Sequence, residues 1–560
     1  MEWPMKIESC QTNTDVALEQ MINQLQLRLV AEPENGDLWY FLGVAYYQLK
    51  NNIAAIPALK KAVQYHTGYD VEAYSLLSYI FIEQKDYVQA VEMVELSLRV
   101  LPLGKYKRDK AFLPNLLRGL GSLELRLGSP GRAANAYLRT VYSDEDFGEQ
   151  VRAYSGYLLC LHYENGISNA ELFAVHKKYQ DFFVDSKPFK HAKPKCKKKL
   201  RIGYISPDFR SHVMFYFMYN LLTAYDHTAF EVICYSLGDA DGFTELLQSK
   251  VDGWRTVHSS DYAGAAQLIY EDQIDILVEL AGHSCNGGLP ILAYKPAPIQ
   301  VSGLGYVNTT GLAAVDYFLT DRYVDPPGTG DNEFVEKLYR LPHSQFSYTG
   351  RSDAKATEGA ACIRNNFITF ACFNNFAKVT KEVLQVWQSI MASVPGSRLL
   401  LKTEIFSSES ACNLVKGRLK AVGFDLERVE LRGYSFDYLN EYLSVDIALD
   451  TFPYPGGGTT FDALYMGIPV LTLKGQRHGA RFGYSILKNI GLDDWIAQSE
   501  TEYIVKAIEF SRQPKLLDTL HRNLRAVMLD SPLMDEKLYM KDIETMYHSM
   551  WQCYQVANKK

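Results

Sequence analysis

Three consecutive glycines followed by two threonines carry the clearest chemical signal in this chain. Residues 445–473 read VDIALD, then TFPYPGGGTT, then FDALYMG and IPVLTL. An apolar strand ends at Asp450, a turn holds Gly456, Gly457 and Gly458, and a helix opens near Thr459. Glycines permit a tight turn and let backbone N–H groups approach an anion. Thr459 and Thr460 add hydroxyl donors, and a helix N-terminus adds a favourable dipole. That combination is a phosphate cradle. It lacks the lysine of a Walker loop and the spacing G-x-G-x-x-G, which disfavours mononucleotide hydrolysis and NAD binding. Asp462 reads as part of the first helical turn, placed either for a cap or for a sugar hydroxyl of a nucleotide. A plain strand-to-helix turn is the competing reading of the same residues.

A second polar concentration, SPDFRSH, occupies residues 206–212. Asp208 and His212 are four apart, so on a continuing turn they share one face, and both types handle protons or bind sugar hydroxyls. A capping aspartate with an incidental histidine is the bland alternative. Asn374, Asn375 and Lys378 follow the strand ITFACF (368–373). A cation there, facing the cradle, would neutralise charge on a departing diphosphate; a surface lysine is the alternative. Asp239 and Asp241 form a D-A-D triplet flanked by Gly238 and Gly242. Turn composition explains it, and no further ligand cluster supports a metal.

These groups need elements to hold them. From 200 onward, short β-rich runs alternate with helical stretches: LRIGYIS, FEVICYSL, IDILVEL and IQVSGLGY, then ITFACF, SRLLLK, VELRG, VDIALD and PVLTL. That rhythm implies parallel sheets in two successive blocks, with a ligand cleft where the carboxyl ends of their strands face each other. Residues 20 to 180 are helix after helix. Trp39, Leu42, Gly43 and Tyr46 fit W-x2-L-G-x2-Y, with Ala55 and Ala62 at small-residue positions. Tyr74, Leu77, Ser78, Phe81, Ala90, Ser97 and Pro102 repeat it 35 residues on, and Leu120, Gly121, Ala133 and Ala136 form a looser third copy. This is the tetratricopeptide pattern, whose stacked pairs grip peptides or proteins.

Length and composition agree. At roughly 150 residues per domain, 560 residues imply three or four domains. A net charge of −7 argues against a whole-chain grip on nucleic acid. Nothing resembles a cleaved signal or a membrane span. Nine scattered cysteines without a C-x-x-C pair, Cys10 and Cys196 among them, read as reduced core residues of a cytoplasmic protein. The expected division is helical repeats over 1–185, a basic solvated linker over 186–199, a first lobe over 200–350, a connector over 351–366, a second lobe over 367–532 and a C-terminal helix over 533–560.

Taken together, RIGYISPDFRSH (201–212), LAGHSCNGGL (280–289), YKPAPIQVSGLGY (294–306), TTGLAAVDYFLTD (309–321), EKLYRLPHSQF (336–346), FNNFAK (373–378) and the stretch 446–473 resemble the tetratricopeptide-linked O-GlcNAc transferase family, to which the Spindly-type O-fucosyltransferases are related. The resemblance spans nearly the whole chain. It implies an all-α repeat part followed by an α/β, two-lobed GT-B glycosyltransferase of two Rossmann-like domains. Such an enzyme works without a metal, inverts the anomeric centre and glycosylates Ser or Thr of a protein. On that resemblance Asp208 is the proton acceptor and His212 the histidine beside the donor sugar. His176, on the last helix before the linker, matches a further active-site histidine. Leu304 and Gly305 match sugar-pocket backbone, and Asn375 and Lys378 match the polar and cationic residues beside the diphosphate. Gly457, Gly458 and Thr459 match the phosphate loop, with Thr460 beside them, and Asp462 matches the acid that holds the ribose.

The sequence also departs from the family. Tyr438 stands where a histidine stacks on uracil, Glu441 replaces an arginine, Ser435 a lysine, and Gly303 a tryptophan. Val213 and Met214 replace the Pro-Thr that follows the active-site histidine in some members. Tyrosine also stacks, so the expected donor is UDP-GlcNAc, with no metal and no other cofactor; UDP-glucose and GDP-fucose are the alternatives. The expected partner is a protein or peptide gripped by the repeats, and a second copy or partner subunit is compatible with them. A non-enzymatic repeat scaffold and an epimerase acting on free nucleotide sugars are the rival classes.

Overall fold

The computed structural model describes residues 11–103, 110–193, 197–258, 260–351 and 354–558. Cys10, Pro194, Lys195 and Cys196 lie outside them. After a helix at Gln11–Ala31, three helix pairs follow: Gly36–Gln48 with Asn52–Gln64, Asp70–Glu83 with Tyr87–Val100, and Phe112–Arg126 with Pro130–Ser143. Small residues let each pair close. A Cβ at Gly43 would stand 2.6 Å from Leu59 Cγ. Ala55, Ala62 and Ala90 are fully buried, and Ser78 Oγ donates to the Ala90 carbonyl at 3.0 Å. The loose third copy is a true pair, with Ala133 and Ala136 buried at its contact. Helices Phe147–Leu161 and Asn169–Lys177 complete the helical part.

Seven strands build the first lobe: β1 (Leu200–Ser206), β2 (Phe230–Ser236), β3 (Gly253–Thr256), β4 (Ile276–Glu279), β5 (Ile299–Ser302), β6 (Tyr317–Asp321) and β7 (Lys337–Leu341). They lie parallel in the order 3-2-1-4-5-6-7, with Ile202 opposite Ile276. The second lobe holds β8 (Thr369–Cys372), β9 (Arg398–Lys402), β10 (Val429–Arg432), β11 (Ile447–Leu449), β12 (Val470–Leu473) and β13 (Ile496–Ala497), in the order 10-9-8-11-12-13. Both orders reverse at the first strand, so each lobe has a crevice between its first and fourth strands. The GT-B expectation holds.

Four strands were not legible as β-rich runs. β3 is a half-exposed edge of four residues, β13 has two, and β6 and β7 sit inside mixed polar sequence. The basic linker is not simply solvated. Its described lysines are exposed, but Phe189 stacks on Tyr270 at 4.4 Å and His191 bonds the Lys295 carbonyl at 2.9 Å. The connector contains a short helix, Ala361–Asn365. The C-terminal helix Glu536–Ala557 crosses back to the first lobe, where the Tyr547 and Tyr204 hydroxyls meet at 2.7 Å. Among the described residues no helix is long and apolar enough to cross a membrane.

Candidate active site

The site sits at the two crevices. In the second lobe the chain leaves β11 at Asp450, turns through the glycines and enters helix Gly458–Met466. Asp450 holds that turn from below. Its buried carboxylate accepts from the Gly456 amide at 2.6 Å, the Thr451 amide at 2.9 Å and Thr472 Oγ1 at 2.7 Å. Burial raises its pKa against those bonds. Asn374, at the end of β8, donates to Thr451 Oγ1 at 2.9 Å and accepts from Thr459 Oγ1, tying the two strand ends together.

The three glycines have different jobs. A Cβ at Gly456 would press on Thr459, Thr460 and Asn374, and one at Gly458 would strike Val213 of the opposite lobe. At Gly457 nothing lies within 4 Å, so a Cβ there would meet open space. Thr460 is buried beneath the turn.

Lys378 closes the turn Phe376–Lys378 after β8 and reaches the cradle, donating Nζ to the Pro455 carbonyl at 2.8 Å above the Tyr454 ring. Burial lowers its pKa to about 8, with Asp450 opposing. Asn375 is exposed, and its Oδ1 accepts from the Ala377 amide at 3.1 Å, capping that turn. The neighbouring Asn374 is the one bonded to the cradle.

Asp462 corrects a second expectation. It is the fifth residue of its helix, one turn beyond a capping position, and is buried. It accepts from Tyr438 Oη at 2.6 Å, Tyr348 Oη at 2.7 Å and Arg351 Nε at 3.2 Å. The Arg351 guanidinium lies 4.2 Å from the centre of the Tyr216 ring and 5.3 Å from that of Tyr438. Tyr216, Tyr348 and Arg351 lie far from Asp462 in sequence and were missed; no local spacing marks them. A carboxylate has about four acceptor sites, so three protein donors leave one lone pair unused. The lysine replaced by Ser435 has a substitute: Lys402 Nζ lies 2.9 Å from Ser435 Oγ and 2.6 Å from Glu441.

The first lobe supplies the facing wall. Asp208 and His212 come together, Oδ1 to Nδ1 at 3.5 Å, in a bend after β1 and before helix Phe215–Thr223. Burial raises the Asp208 pKa, while His212 and Arg210 draw it down. Ser211 donates its amide to Asp241 at 2.7 Å, and Asp241 also caps helix Gly242–Gln248. The D-A-D acid is thus spent on structure. Leu304 has φ +65° and is buried, and the Leu280 carbonyl leaves Gly305 no room for a side chain. A non-glycine residue at positive φ is costly and persists where its surroundings dictate it. Gly303 abuts Leu319, with its missing Cβ 2.8 Å from that of Leu319, so a tryptophan could not stand there without repacking. Glu279, another residue missed, accepts from the amides of Ala281, Gly282 and Gly288 and from Ser302 Oγ, fixing the 280–288 loop. Its signal was an acid ending an apolar strand before a glycine-rich loop.

His176 stands apart from the other expected catalytic groups. It is fully buried, with Nδ1 on the Leu172 carbonyl at 2.7 Å and Nε2 on Tyr306 Oη at 2.8 Å. Burial lowers its pKa to about 4. Neither nitrogen is left for a substrate, so its contact is with the backbone next to Gly305 through Tyr306. Beside this cluster a cavity of about 1010 Å³ separates the repeat helices from the 282–287 loop, with Arg118, Glu149 and Arg152 on one wall.

Residues 168–353 and 354–543 match glycosyl transferase family 41. The chain belongs to that family. Within the family 41 chain, residues 36–65 also match a tetratricopeptide repeat. The tomato (Solanum lycopersicum) probable UDP-N-acetylglucosamine–peptide N-acetylglucosaminyltransferase SPINDLY is 38% identical over 408 residues, covering 71% of this chain and 44% of the tomato protein. The Arabidopsis thaliana protein SEC, also named a probable transferase of that kind, is 30% identical over 370 residues, 64% of this chain and 38% of its own. The chain therefore spans less than half the length of these curated relatives. The structure of a mutant Thermobaculum terrenum O-GlcNAc transferase superposes with a TM-score of 0.80 at 27% identity, covering 98% of this chain and 100% of that one.

Proposed function

We propose that this family 41 chain transfers a sugar from a nucleoside diphosphate donor to a Ser or Thr hydroxyl of a protein, inverting the anomeric centre. UDP-GlcNAc is the first-choice donor, in keeping with the names its relatives carry. The observation that carries the reading is Lys378 Nζ on the Pro455 carbonyl, one residue before the glycine turn. A cation and a helix N-terminus there would stabilise charge on the departing diphosphate, the work a metal does in other transferases. Gly457, with its open face, offers backbone to the phosphates, and Asp462 offers its remaining acceptor site to the ribose. The Tyr438 ring would carry the base.

The acceptor would enter from the repeat side, through the cavity walled by Arg118 and Arg152. Its hydroxyl would attack the anomeric carbon near Leu304 and Gly305 and pass its proton to Asp208 or His212. The raised Asp208 pKa suits a group that must take a proton.

Glu441 favours a second reading of the donor. Where the family carries a cation, this chain has an acceptor held by Lys402 and Arg432, and guanine offers N–H donors where uracil offers fewer. GDP-fucose is that second donor. A panel of nucleotide sugars, read by thermal shift and by hydrolysis, tests both: one donor should raise the melting temperature and turn over. A chain that responds to none is a scaffold rather than an enzyme.

A further inference from the structure

We propose that the repeats position the leaving-group cation themselves, with Tyr163 and Tyr454 as positioning residues for Lys378. The inference rests on the reading of Lys378 above.

Tyr454 lies in the turn between Asp450 and Gly456, its carbonyl accepting from Thr451 Oγ1 at 2.7 Å. Its ring centre is 4.1 Å from Lys378 Nζ. The same ring is packed by the repeat part: Tyr163, buried just beyond helix Phe147–Leu161, meets it with centroids 4.9 Å apart and planes 36° tilted. The Tyr454 ring thus contacts both the ammonium and the repeat-part tyrosine.

The turn that carries Lys378 leans on the repeats as well. Gly128, at the end of helix Phe112–Arg126, has φ +71°, and a Cβ there would stand 2.9 Å from the Phe376 ring. Arg418 of the second lobe locks this contact, donating to the Leu127 carbonyl at 2.6 Å and to Ser129 Oγ at 3.1 Å. The backbone that carries Lys378 and the ring beneath its ammonium thus both rest on repeat residues.

A lysine side chain gives up roughly 1.5–2 kcal/mol of rotamer freedom when fixed. A cation–π contact and an aromatic pair each return part of that. Fixing the ammonium before the donor arrives is what electrostatic stabilisation of a leaving group requires. The repeats therefore act on the chemical step itself, besides any grip on an acceptor.

The test is hydrolysis of the preferred donor by the full chain with no protein acceptor, which a purely acceptor-gripping role would not affect. Tyr163→Leu and Tyr454→Ala should each lower kcat about tenfold or more with little change in donor KM. Tyr163→Phe keeps the ring and should restore turnover. The titratable groups bearing on Lys378 are Asp450 and Cys372, both untouched by these changes. Opening the site at Tyr454 should therefore move the alkaline limb of kcat/KM upward from about pH 8, as water returns to the ammonium. Native turnover and an unmoved limb in Tyr454→Ala, alongside a crippled Lys378→Ala, overturn this proposal alone. Near-native Lys378→Ala overturns the donor reading beneath it. If Tyr163→Leu melts early, Tyr454→Ala, in a turn at the cleft, decides.

Discussion

His478 and Asp325 meet at 2.6 Å, Nδ1 to Oδ2, with both side chains only 2% exposed, and they belong to different lobes. His478 follows β12 of the second lobe; Asp325 follows β6 of the first and also accepts from Thr320 Oγ1 at 2.6 Å. Phe318, Phe334 and Phe482 surround the histidine ring. This buried pair joins the two lobes, together with the Ser485 hydroxyl on Asp321 at 2.8 Å and Arg481 on the Val324 carbonyl at 3.1 Å.

Removing one partner strands a buried charge, a loss of about 3–5 kcal/mol. His478→Ala should therefore lower stability by about that much in urea unfolding at neutral pH. A loss below about 1 kcal/mol would show the pair to be incidental. Burial works against the Asp325 carboxylate, yet His478 holds its pKa below the usual range. Its contribution is thus complete above the unfolded value near 3.9 and is lost as pH falls through the lower folded value.

The glycine turn makes a contrast testable in one experiment. Gly457→Ala should leave the melting temperature of the free protein near native but weaken donor binding about tenfold, because its face is open. Gly458→Ala should lower the melting temperature instead, since its Cβ would meet Val213 across the cleft. Isothermal titration and thermal melts separate the two. Equal behaviour would mean that the turn does not face a ligand.

Tyr438 is expected to act through its ring more than its hydroxyl. Tyr438→Phe removes the 2.6 Å bond to Asp462 and should cost about 1–3 kcal/mol of stability, as a buried carboxylate loses a donor. Donor KM should change little. Tyr438→Ala should raise donor KM about tenfold or more through lost stacking. Steady-state kinetics of the two variants check this; equal KM values would remove the base from this ring.

Much of this site is legible in the sequence because its parts are local. Asp450, the glycines and Thr459 lie within one strand-turn-helix stretch, and the helical repeats announce themselves by Trp39, Gly43 and Ala55. What escaped was assembled at long range. Tyr348 and Arg351 reach Asp462 from the end of the first lobe and the start of the connector, a stretch with no period of its own, and Tyr163 reaches Tyr454 from beyond the end of a helix. His176 shows the converse: a matching motif identified the residue, but only packing revealed that both its nitrogens are occupied. Asn374 and Asn375 are indistinguishable in sequence, and the direction of one turn decides which of them touches the cradle.

Lys378 also predicts a pH profile. Burial lowers its pKa to about 8, so the ammonium form is lost as pH rises through that value. kcat/KM should fall above about pH 8, where an ordinary lysine would keep its charge to about pH 10. A rate flat to pH 10 would place the essential cation elsewhere.

The central claim, that Lys378 carries the charge of a departing diphosphate, is tested most directly by the turnover of Lys378→Ala on the preferred donor. The account predicts a fall in kcat of about 100-fold or more with the melting temperature nearly unchanged. A variant that folds and turns over at close to the native rate would contradict it.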